Sequence, residues 1–381
     1  MFIYKKNNFK FRSDLSSFDK SDFSRLINQA DALIDTQINL APNLQKKFVK
    51  YNVIMEGGGL RGIAHLGTLY ALEKLGYRWH SLGGTSAGSL TAALIACNTN
   101  PVTEERAVQA AELVYNLSYL DFLDGGDDAK SVLKLDKKTS KVRSLVMAII
   151  TIIRNIKDLK ADLGINPREH FSADLRQKME HFYQGNVETN YEKLVDIRLK
   201  QSNTHSETPD FQAVVFNLNR SEREVLPSDL ITKYGDISAN VDVLDIAKAS
   251  SAIPFFFKPV EFFDHKGDFI AQYVDGGIVD NLPSDLFEGE GNSFDTILIE
   301  LIEPKTVNEK IEGLGDIAKS IFKSAFKKEY VIPVHLQKNH IQIDLSSDEF
   351  KEISLLSFDL SVEQRNQLFL AGVNAALKWA A

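Results

Sequence analysis

Between Asn52 and Cys97 the chain passes twice from an apolar run through a glycine-rich turn into a helical stretch. Asn52-Val53-Ile54-Met55-Glu56 reads as a short buried strand, Gly57-Gly58-Gly59-Leu60-Arg61-Gly62 as a turn, and Ile63 to Leu75 as a helix broken at Gly76-Tyr77. Trp79-His80-Ser81-Leu82-Gly83 then approaches a second turn, Gly84-Thr85-Ser86-Ala87-Gly88, and a small-residue helix runs from Ser89 to Cys97. A helix after each strand returns the chain so that the next strand can pair in parallel. The pattern therefore predicts an α/β fold with a mostly parallel central sheet covered by helices. Later segments extend it. Phe211 to Phe216 and Thr296 to Leu301 read as core strands, and 101–125, about 168–182 and Val243 to Ser251 as helices. Val362 to Trp379 reads as a closing helix, with Ser361 and Gln364 as its capping box.

Composition limits what such a fold can serve. The chain has 381 residues, 44% hydrophobic and 25% charged, which is ordinary globular usage. Lys+Arg 44 against Asp+Glu 52 gives a net charge of −8, a poor balance for general nucleic-acid binding. Cys97 is the single cysteine, so neither an internal disulfide nor a cysteine-based zinc site is expected; it reads as a small hydrophobe in Ala92 to Cys97. The first residues hold basic groups without an apolar core, so no Sec-type signal is expected. The longest apolar run, within Ser144 to Ile153, is about half of the ~20 residues that cross a bilayer. In residues 1–48, Leu26, Ala30, Leu33, Ile34 and Ile38 fall at helical spacing and Pro42 follows, which predicts an N-terminal helical extension.

Three clusters can carry chemistry. Gly84-Thr85-Ser86-Ala87-Gly88 is a G-x-S-x-G turn, in which small residues permit a sharp bend that exposes the serine oxygen at a helix start. The competing reading is that Ser86 is only an N-cap. Gly57-x-Gly59-x-x-Gly62 also fits a dinucleotide fingerprint, but the second strand ends in Leu82-Gly83-Gly84 without the acid that fold needs, and no Gly-Lys-Ser/Thr makes it a P-loop. What remains is an oxyanion hole of bare backbone N–H groups at Gly57, Gly58 and Gly59, with Arg61 adding positive charge there or near a lipid phosphate, or else forming a surface ion pair. Asp275-Gly276-Gly277 places an aspartate at a strand tip, although Asp-Gly-Gly alone is a common turn.

In this order the three motifs resemble those of the patatin-like phospholipases, which carry G-G-G-x-R/K-G, G-x-S-x-G and D-G-A/G. The separation of 22 residues between Gly62 and Gly84 is similar too, as are Ala249 to Pro254 with Pro259-Val260, and Asp280-Asn281-Leu282-Pro283. The resemblance covers about residues 50–305 and, loosely, the tail. It implies a three-layer α/β/α patatin-like fold with a catalytic domain at 50–305, an insertion at about 130–160, and a helical part at 306–381 packed on the same domain. It also implies a phospholipase A type lipid acyl hydrolase with a Ser86-Asp275 dyad, an acyl-enzyme intermediate, a glycine-loop oxyanion hole, and no metal or cofactor. The expected partner is phospholipid or another long-chain acyl ester, with no nucleic acid; an activator is left open. The alternatives are a soluble carboxylesterase or lysophospholipase on the same fold, or a non-catalytic lipid-binding scaffold.

The eight histidines, His65, His80, His170, His181, His205, His265, His335 and His340, test the dyad against a Ser–acid–His triad. Only His335 and His340 follow Asp275, and His65 sits one turn beyond the glycine loop, where packing is its expected role. Residues 137–160 set an apolar run between Lys137, Lys138, Lys141 and Arg143 on one side and Arg154, Lys157 and Lys160 on the other. That suits a peripheral membrane contact or lid, or else a core element with basic ends. The expected location is the cytoplasm, with action at a membrane surface and signal-independent export left open.

Overall fold

A computed structural model of the chain describes residues 20–46, 48–98, 105–117, 164–166, 168, 175, 210–234, 241–264, 266–289, 293–303, 324, 326, 330–351, 353 and 360–381. The insertion at about 130–160 lies outside them. In chain order the elements are α1 (Lys20–Leu40), β1 (Val49–Met55), α2 (Ile63–Lys74), β2 (Tyr77–Thr85), α3 (Ala87–Ala96), α4 (Arg106–Tyr115) and β3 (Gly164–Asn166). Then come β4 (Asp210–Asn217), β5 (Glu222–Leu226), α5 (Ser228–Tyr234), α6 (Val243–Ser250), β6 (Phe255–Phe257), β7 (Val260–Phe263), β8 (Phe269–Asp275), β9 (Thr296–Ile302), β10 (His340–Asp344) and α7 (Val362–Ala380).

The main sheet runs β10-β9-β1-β2-β4-β8-β7, with β5 also paired to β4. Strands β10, β9, β1, β2 and β4 are parallel, and the edge hairpin β7–β8 and β5 join antiparallel. The pleat sorts side chains by alternation. Val53, Met55, Ala213, Val215, Ile297 and Ile299 face the large core shared with α1, α2, α4, α6 and α7. Ile54, Val214 and Leu298 face the other side, against Leu282, Leu286, Tyr330 and Ile332. The sheet is thus the middle of a three-layer α/β/α arrangement, with central strands apolar on both faces.

α1 lays Leu26, Ala30 and Ile34 into the core, at the spacing its sequence predicts, and the chain turns at Pro42. α7 begins on the expected capping box of Ser361 and Gln364. It packs along α2 with the backbones in contact. A Cβ on Gly67 would lie 1.9 Å from the Phe369 carbonyl oxygen, and one on Gly372 would lie 1.9 Å from that of Ala64. Thr68 Oγ1 donates to Gly372 O at 3.1 Å across this seam. Only glycine permits so close an approach.

Candidate active site

Parallel pairing of β1 with β2 brings Met55 level with Gly84, so the glycine loop and the serine elbow leave the same edge of the sheet side by side. β4 carries the third element in. Val214 pairs with Thr85 of β2, and Val215 pairs with Asp275 at the tip of β8. Residues 189 positions apart in sequence therefore meet, and Ser86 Oγ donates to Asp275 Oδ2 at 2.7 Å with both side chains buried.

The two readings of Ser86 separate here. It occupies the N-cap position of α3, yet its hydroxyl makes no capping bond; the bond goes to Asp275. Its φ is +52°, a region an L-residue enters at a cost of order 1–3 kcal/mol. The surroundings over-determine it. A Cβ on Gly84 or Gly88 would stand 2.1 or 2.2 Å from Met55 O, so the elbow presses directly on β1. The Ser86 N–H donates to Ser250 Oγ (3.0 Å), which itself donates to Val214 O (2.7 Å).

Asp275 divides its oxygens. Oδ1 accepts the Gly277 N–H at 2.8 Å, which is the turn bond that Asp-Gly-Gly promises, and Oδ2 takes the serine. Burial raises this carboxyl from its usual 3.8 to about 7, against the opposing pull of the Ser86 and Gly277 bonds and of the Arg168 charge. Arg168 is itself buried. It donates to Ser251 O and Oγ and to Lys248 O, and its guanidinium lies 4.2 Å from the Phe257 ring centroid. A carboxyl at about 7 that holds a serine hydroxyl can take its proton near neutrality.

The glycine loop is more differentiated than its sequence. The Gly57 N–H is already donated to Asn281 O (3.0 Å), and a Cβ there would meet Asn281 Oδ1 at 2.2 Å and Ser86 Cβ at 3.1 Å. Gly57 is therefore the close-packed floor beneath the serine rather than a donor. The N–H groups of Gly58 and Gly59 have no partner among the described residues. Gly59 has φ +56°, which favours glycine, and a Cβ on Gly58 would strike Leu301 at 2.3 Å. Arg61 is buried, donating to Glu303 at 2.6 Å and, through Nε, to Gly58 O at 3.4 Å. The ion pair expected as one reading of Arg61 is thus present, with a partly exposed partner, and its guanidinium also braces the loop.

None of the four described histidines stands between Ser86 and Asp275. His65 is buried, bonded to Glu56 O at 2.8 Å, and lowered to about 4 by burial. His80 stacks on Phe294, His335 pairs with Glu288 on the surface, and His340 pairs with Glu300 at the sheet edge. His170, His181, His205 and His265 lie outside the described residues.

Sequence reasoning passed over three contributors: Ser250 under the serine amide, Arg168 near the aspartate, and Glu56 just before the glycine run. The last left a trace, since a carboxylate closing an otherwise apolar strand calls for a buried partner.

Residues 53–287 match the sequence model of a family described as Patatin-like phospholipase. An uncharacterised protein of Bacillus subtilis, YqhO, is 27% identical over 240 residues, covering 62% of this chain and 66% of that protein. A lysophospholipase, NTE1, of Meyerozyma guilliermondii is 45% identical over 51 residues, 13% of this chain and 4% of the relative. Among solved structures, VipD from Legionella pneumophila overlays with a TM-score of 0.47 at 17% identity, covering 88% of this chain and 67% of VipD. The chain thus spans just under two thirds of the Bacillus relative's length.

Proposed function

Because the chain belongs to the patatin-like phospholipase family, we propose that it is a lipid acyl hydrolase of the phospholipase A type, working through a Ser86-Asp275 dyad. The observation that carries the reading is the direct bond from Ser86 Oγ to Asp275 Oδ2 at 2.7 Å, both groups buried and none of the described histidines interposed. As the ester carbonyl meets Ser86, Asp275 accepts the hydroxyl proton and Oγ bonds to the carbonyl carbon. The N–H groups of Gly58 and Gly59 stabilise the oxyanion, aided by the N-terminal dipole of α3. The tetrahedral adduct expels the alcohol portion, which takes the proton back from Asp275. Water, deprotonated by the same carboxylate, then attacks the acyl carbon; the bond to Ser86 Oγ breaks, Oγ takes the proton back from Asp275, and the fatty acid leaves.

Phospholipid is the first substrate class. The short likeness to lysophospholipases supports a single-chain lipid as the second. Contact with a membrane surface through about 137–160, and a cytoplasmic location, belong to the same proposal. The test is a fluorophosphonate probe together with anionic phospholipid vesicles. The wild type is expected to be labelled at Ser86 and to release fatty acid, and Ser86→Ala to do neither. A folded wild type that takes no label would leave the scaffold reading, and one that cleaves only soluble short-chain esters would leave the carboxylesterase.

A further inference from the structure

Ser86 and Asp275 both lean, through their backbone amides, on the short turn that ends α6. The Ser86 N–H donates to Ser250 Oγ at 3.0 Å, and the Asp275 N–H donates to Ala252 O at 2.9 Å. Ser250 Oγ donates in turn to Val214 O of β4 at 2.7 Å. The register between β2 and β4 ends at the pair Thr85 and Val214. The hydroxyl therefore stands between the next N–H of the chain and the carbonyl of the neighbouring strand, and it carries their connection one step further, into the elbow. The same Val214 oxygen lies 2.3 Å from where a Cβ on Gly276 would stand, so it also abuts the turn that begins at Asp275. Arg168 fastens this piece from outside. It donates to Lys248 O, Ser251 O and Ser251 Oγ, at a helix end that leaves carbonyls in want of donors.

We propose that Ser250 is a positioning residue for the reaction at Ser86: its hydroxyl holds the nucleophile in the turned conformation that aims Oγ at Asp275, and the turn 250–252 refers nucleophile and base to one piece of backbone. The inference rests on Ser86 being the nucleophile. Chemistry fixes the direction of the relay. An amide N–H can only donate, a carbonyl can only accept, and a hydroxyl has one proton to give. Ser250 is fully buried with that proton committed to Val214, so it is not a second nucleophile. Nor does it make the local bond usual for a serine in a helix. Its neighbour Ser251 does that, donating to Ala247 O four residues back at 2.7 Å. Ser250 instead meets the elbow, 164 positions away. What it holds there is strained. Ser86 has φ +52°, and such a conformation persists where the surrounding bonds enforce it. The carbonyl of Ser86 is held from α3 itself, by Ser89 Oγ at 2.6 Å and the Leu90 N–H at 3.0 Å. The Ser250 hydroxyl is the bond on the amide side, and it ties the elbow to β4 and α6. Without it the Ser86 N–H and Val214 O both lose a buried partner, and the elbow relaxes. The Asp275 amide stays on Ala252, so the nucleophile shifts against a base that does not, and their 2.7 Å contact is lost.

The experiment compares Ser250→Ala and Ser250→Thr with wild type as full chains, and takes Glu73→Gln as a buried control outside the site. Fluorophosphonate labelling carried to completion counts the competent sites. The labelling rate, and kcat and KM for p-nitrophenyl butyrate, are then expressed per site. Ser250→Ala is expected to lose about tenfold to a hundredfold in labelling rate and in kcat with KM unchanged, the scale set by a misplacement of ~1 Å. Ser250→Thr, which keeps the hydroxyl, is expected to recover most of that loss. A bond that served stability alone would lower the number of sites and leave the rate of each unchanged, as Glu73→Gln should. A Ser250→Ala at the wild-type rate per site overturns the proposal, as does a Ser250→Thr no faster than Ser250→Ala. If Ser250→Ala does not fold, Ser250→Cys is read instead. Its thiol fills the place with weaker bonds, and a wild-type rate per site there overturns the proposal equally. Absence of Ser86 labelling in wild type removes the nucleophile and this inference with it, whereas wild-type labelling beside an unimpaired Ser250→Ala removes the inference alone.

Discussion

Asp275 and Glu73 are both buried carboxyls raised to about 7 by burial, and they do opposite things. Glu73 closes α2, where Oε1 accepts the Trp79 indole N–H at 2.7 Å and Oε2 the Ala107 backbone N–H at 2.8 Å. Arg78 and Arg106 add opposite charge nearby. Its donors are fixed parts of β2 and α4, so the group staples helices to the sheet and has no proton to exchange with a reactant. Asp275 spends one oxygen in the same way, on Gly277, and the other on a hydroxyl whose proton can leave. A shifted carboxyl does not mark a reaction centre by itself; the chemistry of its partner does.

The comparison breaks most sharply under substitution. Asp275→Asn and Ser86→Ala are each expected to lower kcat by roughly three orders of magnitude or more with the fold retained, because members of one catalytic unit fail together. Glu73→Gln should leave the turnover of folded protein within about twofold. Ester hydrolysis beside circular dichroism reads both, and a Glu73→Gln as inactive as Asp275→Asn would erase the distinction.

The next effect belongs to the donors. Gly58→Val and Gly59→Val are expected to cost about a hundredfold or more in kcat, ~3 kcal/mol. The first pushes on Leu301 and the second forces an L-residue to φ +56°. Wild-type turnover in both would move the oxyanion hole elsewhere.

A pH–rate profile sharpens the same contrast. Asp275 must be ionised to act as base, so kcat is expected to fall as pH drops below about 7, tenfold per unit at the limit. That acid limb should survive in Glu73→Gln.

The smallest expected effect is on stability. In Glu73→Gln one of the two facing N–H donors meets an amide instead of an oxygen, a loss of about 1–3 kcal/mol in urea unfolding. Linkage gives its sign. The folded carboxyl keeps a proton up to about 7, while the unfolded one loses it near 4.5. Stability therefore falls as pH rises through that window, by at most about 1.4 kcal/mol per pH unit, and Glu73→Gln should remove that share of the slope.

Much of this was written locally in the chain. The strand–turn–helix punctuation at Gly57–Gly62 and Gly84–Gly88 announced a parallel sheet, and Ser361 with Gln364 announced a helix start, because caps and turns are made by neighbours in sequence. Ser86 and Asp275 were legible as a pair through motif order. The division of labour within the loop was not. Nothing in three successive glycines says that the first is tied to Asn281, 224 positions away, or that Arg61 turns to Glu303. Glu73 looks like any other glutamate until the fold buries it, and the position of Glu56 at the end of an apolar strand does not name its partners. Such roles come from long-range pairing, which residue type alone does not encode.

The glycine seam between α2 and α7 has a consequence in time. α2 begins where the glycine loop ends, and its backbone is pressed against a helix whose contact residue Gly372 lies 304 positions after Thr68. At roughly 5–20 residues per second of synthesis, about 15–60 s separate the two. For most of that interval Ser86 has been made while the helix packed behind the glycine loop has not. The seam thus acts as a delay, leaving the glycine loop of the nascent chain without the backing of α7 until that helix emerges.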